Sequence, residues 1–416
     1  MSIRQIKLVC LLGGLCIAAE KPLLIAAAEP LPVAKPESVG LSSRRLDQIG
    51  VALRAEIARN TMPGAVVAVA RKGKLVYYEA FGTLGDAAGS PMPKNAIFPI
   101  FSMTKPLTAL GALELFEQGR LMLNEPVGTY LPQLDKMAVA TQTGTEPARR
   151  KPTVQDMMRH TAGVTYGYTG EGETALSKQY DGLTGDLSAS EFLAKLGGLP
   201  LQYQPGTKWD YSLGLDVTGL VIEAITSQRL GQYLQEHVFE PMGMSDTFFT
   251  VPVGKVGRLA KPFQKNAMSN RDPTSQRGRD GGGGGAFSTA SDYLRFAEML
   301  RRGGSLDNVH LLGRKTVEFM TSDQLGPEVN IDELRSFTNL NGGYGFGLSV
   351  AVRRGAGVAG IMGSAGDYNW GGAGGTYFWV DPKEELTVVL MECASFQARG
   401  HMRQLITTLV YASLEN

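Results

Sequence analysis

The chain has 416 residues, 43% hydrophobic and 19% charged, which suits one large or two intimate globular domains and excludes a disordered polymer. A formal net charge of +1 supplies no chain-wide field for holding nucleic acid or an acidic surface, so no nucleic-acid partner is expected. The 52 glycines concentrate in the last third, where they mark tight turns and close backbone approaches.

Arg4 and Lys7 precede the apolar run "LVCLLGGLCIAA" at 8–19, and "AAAEP" at 26–30 offers small residues for cleavage near Ala28. This predicts a signal peptide over 1–28 and an exported protein, periplasmic or secreted, although Glu20 and Lys21 interrupt the pattern. The run is too short to remain as a stable membrane anchor. Once it is removed, Cys393 is the one cysteine left, so no internal disulfide and no thiol cluster for a metal are expected.

Leu46, Ile49, Leu53 and Ile57 recur at helical spacing in 42–60, with serines placed to cap the start. "GAVVAVARKGKLVYYEAFG" (64–82) predicts two strands around a turn at Lys72-Gly73. A helix follows over 102–118, with Met103, Leu107, Leu110 and Leu113 on one side, Gly119 ending it, and Pro106 confined to its first turn. Residues 125–250 read as mainly helical and irregular, and a helix ends the stretch 278–300. Strands return at 343–354, 374–382 and 386–394, with a turn at Asp381-Pro382, before a last helix at about 398–413. The expected fold is α/β, an antiparallel sheet flanked by N- and C-terminal helices. Residues 29–122 and 251–416 form that domain, and 123–250 form an inserted helical one.

Three segments carry chemistry. In "SMTK", Lys105 lies three residues after Ser102 at a helix N-terminus, so its amine reaches the hydroxyl. Shielded from water, such a lysine loses its proton at neutral pH and accepts one from serine. The tetrapeptide alone is weak evidence, because it arises by chance in a chain of this length. In "WDYSLGLDVTG" (209–219), the Tyr211 phenol offers a second proton-handling group, or else packs as an ordinary aromatic at a helix start. In "YNWGGAGGTYFWVDP" (368–382), a strand edge of Trp370, Gly371, Gly372 and Ala373 brings bare backbone to a substrate carbonyl, or else forms a Gly-rich turn. The N–H groups of Ser102 and Ala373 together would make an oxyanion hole.

The order Ser-x-x-Lys, Tyr-Ser-x, Trp-Gly-Gly before a "YFWVDP" strand resembles the family VIII carboxylesterases, which share the β-lactamase-like fold of class C β-lactamases and D-alanyl-D-alanine peptidases. "LMLNEPVGTYLP" (121–132), "MMRHTAGVTYG" (157–167), "QPGTKWDYS" (204–212) and "GGGGGAFSTASDYLRFAEML" (281–300) extend the resemblance from about residue 36 to the C-terminus. It implies Ser102 as nucleophile, Lys105 and Tyr211 as the proton-handling pair, and the two amides as oxyanion hole, with no cofactor or metal. Trp370 stands where the β-lactamases carry a lysine for the substrate carboxylate, and Leu213 where they carry an asparagine. Both departures favour a neutral small-molecule ester over a β-lactam. A β-lactamase or peptidase acting on amides, an acyltransferase and a binding protein without turnover are the alternatives.

Other signals carry less. "GAGVAG" (355–360) is not followed by a helix, so no dinucleotide site is expected. "GGGGGAF" lacks a phosphate loop's Lys-Ser/Thr and reads as a flexible wall near the cleft. No G-x-S-x-G elbow occurs. His160, His237, His310 and His401 lack metal spacing, with His160 expected to be buried and hydrogen-bonded, and Cys393 reads as core.

Overall fold

The computed structural model describes residues 31–85, 89–167, 177–261, 272–338, 342–394 and 398–415. The signal peptide expected over 1–28 lies outside the described residues. Strands β1 (Gly64–Arg71), β2 (Lys74–Gly82), β3 (Tyr344–Phe346), β4 (Ala351–Arg353), β5 (Tyr368–Gly371), β6 (Gly375–Asp381) and β7 (Leu386–Cys393) form one sheet in the order β2-β1-β7-β6-β5-β4-β3. Every pairing in it is antiparallel. Helices α1 (Ser43–Ala58), α2 (Thr104–Glu117), α3 (Val154–Met158), α4 (Ala189–Gly197), α5 (Gly214–Thr226), α6 (Ala290–Arg301) and α7 (Ala398–Ala412) surround it.

The turn between β1 and β2 falls at the expected pair. Lys72 and Gly73 both have positive φ, 51° and 73°, as a two-residue hairpin turn requires. β1 then pairs with β7 from Ala65↔Glu392 to Arg71↔Leu386, so the two ends of the chain meet in the middle of the sheet. Both strands are buried along their whole length, which is why they read as continuous apolar runs. Ala65, Val67, Val69, Leu386, Val388 and Leu390 pack against Leu46 and Leu53 of α1 and Met402 and Ile406 of α7. The alternate residues, Val66, Ala68, Val389 and Met391, face α6. From there the same apolar cluster runs through Met103, Leu107 and Leu110 of α2 into 123–250.

Three local expectations are corrected. Ser42 makes no side-chain cap on α1; instead the Ser43 N–H donates to Glu37 Oε1 at 2.9 Å, so a carboxylate supplies the cap. α2 is not one-sided: from Thr104 to Leu113 it is buried all round, the mark of a central helix. The single strand expected at 343–354 is a hairpin of β3 and β4, broken where Ser349 adopts a φ of 77°. The segment 123–250 holds α3, α4 and α5, and also a short hairpin, Ala138–Thr141 with Gly144–Pro147.

Candidate active site

Ser102 sits where the chain turns sharply into α2. Phe101 before it has a φ of 45°, a left-handed backbone costly for a bulky side chain and held only by its surroundings. A single 3-10 turn, Phe101–Met103, leads into the helix, so the Ser102 N–H belongs to the first turn, where amides have no intrahelical acceptor. The turn is pinned from outside: Tyr293 Oη donates to Met103 O at 2.8 Å, and the Ala286 N–H donates to Thr104 Oγ1 at 3.1 Å.

Lys105, one turn on, is completely buried. Its Nζ donates to Gly283 O at 2.7 Å, Tyr166 Oη at 2.9 Å and Ser102 Oγ at 3.4 Å. It also lies 4.5 Å from the centre of the Tyr211 ring and 5.1 Å from that of Tyr166. Burial pulls the ammonium down to about 7, opposed by the charge of Asp216 in the first turn of α5. Near neutral pH a large share of Lys105 is therefore a free amine, able to accept the Ser102 proton.

The glycine run 281–285 is not a flexible wall. Four of its five residues are buried, and the Gly285 N–H donates to Gly281 O at 2.7 Å in a tight turn laid along α2. A Cβ on Gly283 would stand 2.2 Å from Asp216 Oδ2 and 2.8 Å from Tyr166 Oη. Only bare backbone fits there, and its carbonyl is the one that holds Lys105.

Tyr211 is buried among rings, with centroids 4.6 Å from Phe337, 4.8 Å from His160 and 5.5 Å from Trp370. His160 is fully buried with its Nδ1 2.9 Å from Ser212 Oγ, so it holds the Tyr211 segment, as expected. Burial, with the Lys105 charge adding to it, holds its imidazole well below the ordinary histidine range.

Tyr166 is the site residue that sequence reasoning missed. It lies in the quoted stretch "MMRHTAGVTYG", but no spacing ties it to Lys105, 61 residues away in sequence. Its placement depends on α3, whose capping box pairs Thr153 with Asp156, and on His160, which turns the chain with a φ of 60°. Asp156 is the hub: it accepts from the Thr153 N–H, Thr161 Oγ1 and Arg159 Nη2, each at 2.9 Å, and from Arg150. Burial alone would raise its pKa, but these donors outweigh it and hold the carboxyl at about 2.

The third segment reaches the same place. Trp370 is buried on β5, stacked at 16° on Phe337 and edge-on to Phe346. A Cβ on Gly372 would stand 2.4 Å from Ile100 O, and one on Gly374 would stand 2.8 Å from the Phe101 ring. The glycines of this edge thus admit the Ser102 turn itself, and Gly371 admits the Arg403 guanidinium, 2.4 Å from where its Cβ would be. The close approach expected of this edge is thus made first to the protein's own backbone and to Arg403. Between them, Ala373 presents an N–H for which no partner exists among the described residues, whereas the Gly372 N–H donates to Thr376 O at 2.8 Å. Among the described residues no group of three or more His, Cys, Asp or Glu side chains could hold a metal ion.

Comparison with known proteins bears on this arrangement. The family model described as Beta-lactamase matches residues 52–399. Protein Rv1367c of Mycobacterium tuberculosis is 32% identical over 365 residues, covering 83% of this chain and 89% of its own length. Esterase EstB of Burkholderia gladioli is 30% identical over 382 residues, covering 84% and 91%. Among solved structures, EstCE1, described as a hydrolase with promiscuous acyltransferase activity, superposes with a TM-score of 0.77 at 26% identity, over 88% of this chain and 98% of its own.

Proposed function

The chain belongs to the Beta-lactamase family, as a serine hydrolase of that fold, and from this premise we propose that it is a carboxylesterase acting on short- to medium-chain esters through an acyl-enzyme. The observation that carries the reading is the buried Lys105 amine 3.4 Å from the Ser102 hydroxyl, drawn by burial to about 7. In the proposed mechanism Ser102 Oγ attacks the ester carbonyl carbon while the Lys105–Tyr211 pair takes its proton. The N–H groups of Ser102 and Ala373 hold the charge that develops on the carbonyl oxygen. Collapse breaks the bond to the alkoxide, which leaves with the proton returned by the pair. Water then attacks the acyl-Ser102 ester by the same proton route and frees the acid.

A neutral ester is favoured by the aromatic corner. Trp370 fills with an indole the position where a lysine would hold a carboxylate, and the buried Leu213 offers no amide to a substrate amide. Export, from the leader read at 1–28, is part of the same proposal. p-Nitrophenyl butyrate and nitrocefin turned over side by side test the assignment. The ester should be cleaved far faster, and faster nitrocefin opening would contradict it. The second reading, acyl transfer to an alcohol, is favoured by the activity given for EstCE1. Product partitioning to added alcohol far above its molar share would select that reading instead.

A further inference from the structure

Helix α7 reaches back under the site with two arginines one turn apart. Arg403 Nη2 donates to Gly372 O at 2.6 Å and to Thr376 O at 3.1 Å, and Arg399 Nη1 donates to Ala373 O at 3.2 Å. Nothing in the reaction described above uses them. We infer that Arg403 is a positioning residue that aims and polarises the Ala373 N–H as an oxyanion donor; the inference rests on the reading of that amide given above.

The Gly372 C=O and the Ala373 N–H are the two ends of a single planar trans unit and point in opposite directions. α7 packs on the outer face of the sheet, with α1, while α2 and the Ser102 turn lie on the inner side. That carbonyl, held by Arg403 and by the Gly375 N–H at 3.1 Å, turns its amide away from α7, to the side where Ser102 stands. A guanidinium on the oxygen also draws electrons through the peptide and strengthens the N–H as a donor, more so in a site with little water. The cost of this device is visible in the sequence. Gly371 has no Cβ because the guanidinium occupies its place, so the glycine and the arginine, 32 positions apart, are one feature. Arg403 is further located by the Tyr377 ring, 5.4 Å from its guanidinium carbon.

The full-length protein carrying Arg403→Ala tests this. kcat for p-nitrophenyl butyrate should fall by about 10- to 100-fold, short of the loss from deleting an oxyanion donor outright, with little change in KM. In the acyl-enzyme formed from a carbonyl-labelled ester, the infrared carbonyl band should move to higher frequency, and added methylguanidinium should reverse part of both changes. A role in folding alone would move neither the band nor its rescue. A folded Arg403→Ala with an unmoved band and unchanged kcat overturns the inference. Should that variant not fold, Arg403→Gln, which removes the charge and keeps one donor, must shift the band in the same direction, and an unmoved band is again fatal. A chain carrying lactic acid in place of Ala373, which lacks the N–H, separates the layers. If its band moves while that of the arginine variants does not, Ala373 is a donor that Arg403 does not position. If its band stays, the oxyanion reading of Ala373 falls and the inference with it.

Discussion

In the middle of the sheet, Val67, Val388 and Leu390 lie between α1 and α7 with apolar neighbours on every side. Two residues beyond Leu390 on β7 the pattern reverses. Glu392 takes the next outward position, its side chain occupies the place a Cβ on Gly375 of β6 would need, and Arg403 and Arg399 bind backbone carbonyls. The first region is held by area removed from water, and any shape of similar volume serves it. The second buries charge and bare backbone, which costs free energy that only paired donors and acceptors offset. Stability thus comes mainly from the middle, while the cleft end uses it to hold a catalytic geometry.

The largest effect should come from the cleft. Lys105→Met, similar in length but without a proton acceptor, should reduce kcat by about 10³-fold or more while leaving the thermal midpoint near its wild-type value. A loss under tenfold would break the contrast. Leu390→Ala, in the middle, should do the converse. It should cost about 2–5 kcal/mol in denaturant unfolding and leave kcat per folded molecule unchanged. Tyr211→Phe should slow turnover by about 10²-fold if its phenol moves a proton, and an unchanged rate would move that role to Lys105 alone.

The smallest change is a shift in pH dependence. Since Lys105 is active as the free amine, kcat/KM should rise with pH through about 7 and level off above it. Asp216 favours the charged form of Lys105, so Asp216→Asn should move this acid limb to lower pH. A limb that moves up, or stays, would contradict the placement of that charge. The sign for stability is separate. A lysine lowered from 10.5 to about 7 on folding binds fewer protons than in the unfolded chain between those values, so its contribution to stability increases with pH across them.

The contrast also explains what was legible in the sequence. β1, β7, α1 and the hairpin turn between β1 and β2 follow from apolar periodicity and one turn signal, both local properties. Ser102, Lys105, Tyr211 and the edge at 370–373 were recognisable as motifs, and Lys105 lies beside both the Ser102 hydroxyl and the Tyr211 ring, which in turn packs near Trp370. Tyr166 was not, because its approach to Lys105 depends on the Asp156 hub and the left-handed turn at His160, neither visible in local spacing. Glycines were legible only in part, for one reason. At 281–285 and 371–374 composition reveals a close approach but not its partner, and the partners are Lys105, Arg403 and the Ser102 turn rather than solvent or substrate alone.

The central claim is that the hydroxyl beside the buried Lys105 is the one that becomes acylated. Brief incubation with a fluorophosphonate ester, followed by digestion and mass spectrometry, reads this directly. A single adduct on Ser102, absent from Lys105→Met over the same interval, is the predicted result. An adduct on any other residue, or none while p-nitrophenyl butyrate is still hydrolysed, would contradict it.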